Sequence, residues 1–400
     1  MNLVLAGASF PCGVADLAQV SRKYGFRPVL LEHPHNQNTL DGDATTCAWS
    51  DEVPTAVADC SGVFLPLLES WVSAGLRLPP GSPLRFDRQA AAISRSKLAL
   101  SATLQSARLP SIPRMAVHSA EDALRASQSL GGRMILRPDS GYSGRNVCYV
   151  SDPGQLLYCW DRYNAVNSGR AVHEMRAVLD ICSSQAVLEP WIEGAEWSVD
   201  CSINADEVFI IRLCEKVVIL IDGAPVTIGY RINADPDVLA RFRLAAKQWC
   251  SALCRDPQRL GFTCFDIREK QSGELVPMDF GTRLGGDYVP MLTRHASPRR
   301  NPYAAALDAA LSQDERLLAP LTHGSAVMHV YAEQSGALLE LNPAAEHTVL
   351  QANSAGGHIH AELGNTKALR VATMMGHFET YAQFADACLQ SQTSCRMANP

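Results

Sequence analysis

The chain has 400 residues, of which 47% are hydrophobic and 19% charged, and carries a net charge of −6 at pH 7. That length can bury a large core in two or three units, and the acidic balance argues against nucleic acid or an anionic membrane as the main partner. No apolar run reaches the roughly 18 residues of a membrane span, and thirteen scattered cysteines, with Cys250 and Cys254 placed as on one helix face, read as reduced thiols of a cytoplasmic protein.

The opening MNLVLAGASFPCG lacks a basic n-region and is expected to be a first strand, not a signal peptide. A helix follows with Val14, Leu17 and Val20 on one face, Arg22 and Lys23 in its last turn and Gly25 as its stop. The short apolar runs at 28–31 and 63–65 are bounded as buried parallel strands are. Residues 1–90 therefore predict a small doubly wound α/β unit. Its GASFPCG glycines do not spell the dinucleotide pattern GxGxxG, and LPPGSP at 78–83 reads as a linker. One helix is expected over 88–107, then the turn cluster LPSIPR. Strand-like runs follow at 134–137, 147–150, 186–189, 197–203, 208–213 and 217–221. A helix near 238–254, two runs at 263–268 and 274–280, and a β-rich tail from 326 closed by a helix near 378–389 complete the order. This order predicts an α+β architecture with antiparallel sheets after the first unit.

Four stretches carry candidate chemistry. TCFDIR and ELVPMDF flank the turn EKQSG as a hairpin. With Ser272-Gly273 at the turn centre, Asp266 and Asp279 become cross-strand neighbours with Cβ atoms roughly 4.5–5.5 Å apart. Such like charges destabilise a sheet unless a cation sits between them, and magnesium suits one or two carboxylates with phosphate and water. The alternative is a different turn register, or a bulge forced by Pro277, leaving both aspartates facing solvent. ILRPDSGYSGRNV (135–147) ends a strand in Arg137 and opens a loop with Gly141, Ser143 and Gly144, whose backbone could close over phosphate or form an ordinary turn. Lys97 shares a helix face with Ala90, Ile93, Leu100 and Leu104, so it either snorkels outward or meets an anion. LEPWIEGAEWSVD (188–200) sets Glu189, Trp191, Ile192 and Glu196 where they could hold a nucleobase and ribose, or stand as surface acids beside a turn. His358 and His360 alternate as on a strand, but no third metal ligand lies near them.

Together and in this order these stretches resemble the ATP-grasp superfamily of carboxylate–amine ligases across nearly the whole chain. The E-x-x-x-x-G-x-E spacing of Glu189 to Glu196 and the Asp266, Asp279, Arg283 set are the most specific parts. The closing LGGD and β-rich tail look most like bacterial L-amino acid (dipeptide) ligases. The resemblance implies an α/β unit at 1–90, a central subdomain with a Gly-rich lid at 91–195, and a C-terminal subdomain with metal and substrate sites at 196–400. It further implies that Lys97 and Arg137 hold ATP phosphates under a lid of Gly141, Ser143 and Gly144. Glu189 would face the adenine amino group, the Trp191-Ile192 backbone would form the hinge, and Glu196 would bond the ribose. Asp266 and Asp279 would bind magnesium, with manganese as a substitute. Arg283 would act on the acyl phosphate, with Lys97 as the second catalytic residue, and Arg231, Arg283 and Gly286 would contact substrate in loops that include Tyr288 and His295.

Five positions depart from the family pattern: Arg137 stands for Lys, Asp266 and Asp279 for Glu, Gly281 for Asn, and Arg231 for a histidine near substrate. The implied activity is ATP-dependent joining of a carboxylate to an amine in natural-product biosynthesis, by a protein whose partners are small molecules, with a homodimer left open. The alternatives are a purine-pathway ligase, a carboxylase working through carboxyphosphate, or a non-catalytic ATP-binding protein.

Overall fold

The computed structural model describes residues 1–7, 14–32, 47–49, 57, 60–79, 81–141, 144–167, 185–221, 223–256, 260–286, 289–297, 301–318, 320–332, 336–341, 348–352, 358–359, 370–392 and 395–397. Among the described residues the strands form four sheets. The first contains β1 (Asn2–Ala6), β2 (Arg27–Glu32), β3 (Cys47–Trp49), β4 (Gly62–Pro66) and β5 (Leu84–Arg85) in the order β3-β2-β1-β4-β5, all parallel. The second contains β6 (Met115–Val117), β7 (Met134–Pro138), β8 (Cys148–Val150) and β9 (Ala186–Pro190), antiparallel in the order β6-β9-β7-β8. The largest runs β14-β13-β10-β11-β12-β15-β19-β17. Its strands are β10 (Ala195–Asn204), β11 (Glu207–Ile221), β12 (Ala224–Ile232), β13 (Leu260–Glu269), β14 (Leu275–Gly281), β15 (Ser325–Tyr331), β17 (Thr348–Ala352) and β19 (Arg370–His377). A small sheet joins β16 (Gly336–Leu341), β18 (His358–Ile359) and β20 (Cys395–Met397).

The helices are α1 (Val14–Lys23), α2 (Glu69–Leu76), α3 (Arg88–Ser94), α4 (Lys97–Ser106), α5 (Ala120–Leu130), α6 (Pro153–Asn167), α7 (Pro236–Leu253), α8 (Val289–His295), α9 (Pro302–Ser312) and α10 (Tyr381–Gln392). Among the described residues none is long and apolar enough to cross a membrane.

Parallel strands need cover on both faces. Leu3, Leu5, Val63 and Leu65 pack on Tyr303 and Leu307 of α9 and on Ile211 and Phe262 of the large sheet. Val4, Ala6 and Phe64, which alternate with them, pack on Trp71 and Ala74 of α2. The first unit is thus seated against the large sheet. The large sheet's other face, with Trp197, Val199, Phe265 and Phe280, is covered by α3, α4 and α7 through Ile93, Leu100, Leu104, Phe242 and Trp249. The second sheet carries α5 and α6 on its own small core. It meets the large sheet at the β11–β12 turn, where the Tyr149 N–H donates to the Gly223 carbonyl at 2.7 Å.

Two expectations change. The single helix over 88–107 is two helices. Ser96 is extended (φ −140, ψ 118) and its hydroxyl accepts the Ala99 N–H, so it caps α4 and breaks the stripe just before Lys97. The runs 208–213 and 217–221 are one strand, β11, with the charged Glu215 and Lys216 in its interior. Helix α9 escaped the reading because Pro302 to Ala310 are all buried, which leaves no polar face to give a helical period.

Candidate functional site

A cleft of about 280 Å³ lies between the second sheet and the large sheet. Lys97, Arg137, Gly141, Gly144, Glu189, Trp191, Ile192, Glu196, Asp266, Asp279, Arg283 and Gly286, chosen from separate stretches of sequence, all line it. Ser143, Tyr288 and His360 lie outside the described residues.

The β13–β14 hairpin turns through Gln271, Ser272 and Gly273, with Gly273 at φ +82 and its N–H donating to the Lys270 carbonyl at 2.8 Å. A three-residue loop with a left-handed glycine is a common hairpin connection. It is centred one half-step away from the Ser272-Gly273 centre expected from sequence. Glu269, Arg268 and Ile267 accordingly face Leu275, Val276 and Pro277. The register then shifts, leaving Met278 as an extra residue, and Asp266 faces Asp279. Both features set against the aspartate pair, an altered turn and a bulge beside Pro277, are therefore present, and their offsets cancel. The pair stays partly open to the cleft, with side-chain exposures of 42% for Asp266 and 33% for Asp279.

Cations surround this pair. Arg137 uses its fork to bridge two acids, Nη1 to Glu189 Oε1 and Nη2 to Asp279 Oδ2, both at 3.2 Å. Lys97 is buried, so the snorkelling alternative is corrected: its Nζ lies 3.7 Å from Asp279 Oδ2. It is held there because its N–H donates to the Asp139 carbonyl at 3.1 Å and the Leu98 N–H to Asp139 Oδ1 at 2.9 Å. Burial pushes the Lys97 ammonium down to about 8, with Asp279 pulling it back up. On the other side Lys216 joins Glu196 to Asp266, 3.2 Å from Asp266 Oδ1. Burial and those two acids oppose each other on Lys216, and the acids win, holding it above the usual lysine range. Burial raises Glu189, Glu196 and Asp279, but the cations beside each outweigh it and keep all three below the usual carboxylate range.

Glu189 and Glu196 are thus not surface acids. The Glu189 carboxylate lies in the cleft wall, with one oxygen on Arg114 and the other on Arg137. Glu196 also pairs with Arg268 at 2.7 Å, and the Arg268 guanidinium lies 4.9 Å over the Trp191 ring. Tyr149 meets the same ring edge-on at 5.4 Å.

At the far end Arg283 is held by the Glu69 carboxylate and by the Leu284 carbonyl, while its Nη2 has no partner among the described residues. Glu69 comes from the first turn of α2 and also binds Arg95, which reaches Ser140 Oγ at 3.3 Å. The Leu284-Gly285-Gly286 turn rests on a fully buried ion pair, Arg212 Nε to Asp200 Oδ2 at 2.9 Å, and Asp200 Oδ1 accepts the Gly285 N–H at 2.9 Å. A Cβ at Gly285 would come within 2.3 Å of Arg212 Nη2, so a side chain there would have to displace the buried Arg212–Asp200 pair.

Arg231 is not brought into the cleft. It is buried in a separate cluster, bonded to Glu215 at 2.5 Å and to the Phe378 carbonyl at 2.9 Å, with His323 Nε2 at 2.9 Å. Its Nε, Nη1 and Nη2 each have a protein partner and it does not line the cleft, so the expected contact with substrate is not placed there. His295 ends α8 and does not line the cleft either. Sequence reasoning missed Glu69, Arg114, Lys216 and Arg268. Lys216 had a signal: Glu215-Lys216 is a charged pair inside an otherwise apolar run, which the reading took as a gap between strands.

No protein-family model and no curated protein sequence matches this chain. Solved structures do. An L-amino acid ligase from Bacillus licheniformis superposes with a TM-score of 0.64 at 14% identity, covering 100% of this chain and 99% of that one. A carboxyaminoimidazole ribonucleotide synthase from Aspergillus clavatus, solved with ATP, gives 0.62 at 14% identity over 98% and 97%. The biotin carboxylase domain of a 2-oxoglutarate carboxylase from Hydrogenobacter thermophilus, solved with MgADP and bicarbonate, gives 0.60 at 12% identity over 99% and 90%. Likeness of this extent at such identity speaks to architecture, since one fold hosts many chemistries. An α/β unit seated on a large antiparallel sheet, with a smaller sheet closing a cleft over it, is the ATP-grasp fold, and this chain has it.

Proposed function

We propose that this protein is an ATP-dependent ligase that activates a carboxylate, in the first instance an amino acid, as an acyl phosphate and joins it to an amine. The observation that carries the reading is the Asp266–Asp279 pair, open to a cleft that Lys97, Arg137, Lys216 and Arg283 also line. Phosphoryl transfer asks a protein mainly for alignment and for neutralisation of spreading charge. Three cations beside two acceptor-only carboxylates, with Arg283 at the far end of the same cleft, are suited to that task.

The carboxylates fit magnesium, or manganese in its place, because a hard cation of this kind takes one or two carboxylates and fills its shell with phosphate and water. When bound, the cation would supply further charge neutralisation at the phosphates. Lys97 and Arg137 then hold phosphate oxygens, and the backbone around Gly141 and Gly144, with Gly144 at φ +70, folds over them. Closure of that loop keeps water from the acyl phosphate. At the nucleotide end the Trp191 N–H is used by the Arg133 carbonyl at 2.8 Å, so the Ile192 amide serves as the hinge donor. Arg283 offers Nη2 to the acyl group; of the expected units, 1–90 stands on the substrate side, the β6–β9 sheet within 91–195 carries the lid loop, and 196–400, with α4 packed on it, bears the metal-binding pair.

The test is phosphate release from ATP over pairs of amino acids, with mass spectrometry of the product. Asp279→Asn is expected to lower turnover about 100-fold or more, as loss of a charge-stabilising group does. Turnover close to wild type would remove Asp279 from the reaction. Likeness to the bicarbonate-bound domain supports carboxylation as a second reading, and release triggered by bicarbonate alone selects it. ATP binding with no release across the panel selects a non-catalytic protein.

A further inference from the structure

Arg114 follows Pro113 in the loop that enters β6, and its side chain is 1% exposed. Its guanidinium donates in three directions to three distant parts of the chain. Nε reaches Glu189 Oε2 at 2.5 Å, Nη1 the Lys97 carbonyl at 2.8 Å, and Nη2 the Met278 carbonyl. Glu189 ends the strand that leads into the hinge, Lys97 opens α4, and Met278 is the extra residue of the β14 bulge.

We infer that Arg114 is a positioning residue that locks the bulged register of the carboxylate hairpin to the nucleotide end of the cleft. A bulge takes a residue out of its ladder, and buried backbone carbonyls need a donor. Arg114 supplies that donor at the one residue whose displacement sets Asp279 opposite Asp266. The contacts also close a ring: Arg114 to Glu189, Glu189 to Arg137, Arg137 to Asp279, and Asp279 back through Met278 to Arg114. A planar fork reaches acceptors spread around its edges in fixed directions, whereas the three donors of an ammonium radiate from one compact point and do not span that spread. The rival account is that Arg114 only balances the charge of Glu189.

This inference rests on the reading that Asp266 and Asp279 bind a divalent cation. The probe is Mn²⁺ alone, titrated onto the full chain and followed by electron paramagnetic resonance. Arg114→Lys keeps the charge beside Glu189 but loses the bonds to Met278 and Lys97. The expected result is a folded variant, melting within a few degrees of wild type, that binds Mn²⁺ roughly ten-fold more weakly, with the ATP KM raised as well. Unchanged Mn²⁺ affinity in a folded variant overturns the inference and leaves charge balance. If wild type itself binds no Mn²⁺, or Asp279→Asn binds it equally well, the metal reading fails instead. Should Arg114→Lys not fold, wild type decides: adenosine, which has no phosphate to ligate a cation, is expected to slow amide exchange across Leu275–Gly281 without metal. No slowing there overturns the inference.

Discussion

At position 281 the neighbour across the ladder decides the residue. Gly281 pairs with Cys264, and a Cβ on Gly281 would stand 2.7 Å from the Cys264 sulfur. The asparagine expected here from the resemblance would overpack this spot. Gly281→Asn is therefore expected to cost about 1–3 kcal/mol of stability, read by urea denaturation, and Cys264→Ala in the same chain should recover most of it. A neutral single substitution would discard this packing account. Arg137 is likewise tied to its surroundings, because its two Nη atoms reach Glu189 and Asp279 separately.

The hairpin and the helix break show how elements place these residues. A three-residue turn and a one-residue bulge each shift the register, and only together do they bring the two aspartates face to face. Between α3 and α4, Ser96 ends one helix's path and starts another, which turns Lys97 from a mid-helix stripe into the first residue of α4, aimed at Asp279. Ser96→Ala should cost about 1 kcal/mol from the lost cap, measured by denaturation. It should also weaken ATP binding, since Lys97 then starts from a frayed turn. Loss of stability with ATP affinity unchanged would show that the packing of α4 alone positions Lys97.

Over the whole molecule the parallel unit does more than support the cleft. Glu69, from its helix α2, holds Arg283 of the large-sheet side and Arg95, which reaches Ser140 beside the Gly141–Gly144 loop. Burial raises Glu69, but Arg283 and Arg95 outweigh it and keep the carboxylate below its usual range. Glu69→Gln retains the shape and removes the charge that orients Arg283. We expect turnover to fall about ten-fold or more, as for a lost charge-assisted contact in the transition state, with the ATP KM nearly unchanged. A drop in melting temperature with turnover intact would make Glu69 a strut between units.

Much of this was legible along the chain because local periods and turn residues report on local structure: the parallel unit, the strand-rich remainder, the β13–β14 hairpin, and the separate stretches that meet in one cleft. The register of the aspartate pair could be written down from the sequence, but its cause could not, since turn and bulge each hide the other's offset. Most long-range contacts left no trace, Lys97 and Lys216 excepted. Arg114 sits in a turn cluster with no pattern around it, Glu69 opens a helix in another unit, and Arg231 looked as available as Arg283. Which buried guanidinium faces the cleft and which is consumed by Glu215 and backbone carbonyls depends on partners brought together by packing. Burial makes that distinction final, because a desolvated cation must find its anion wherever the fold has put one.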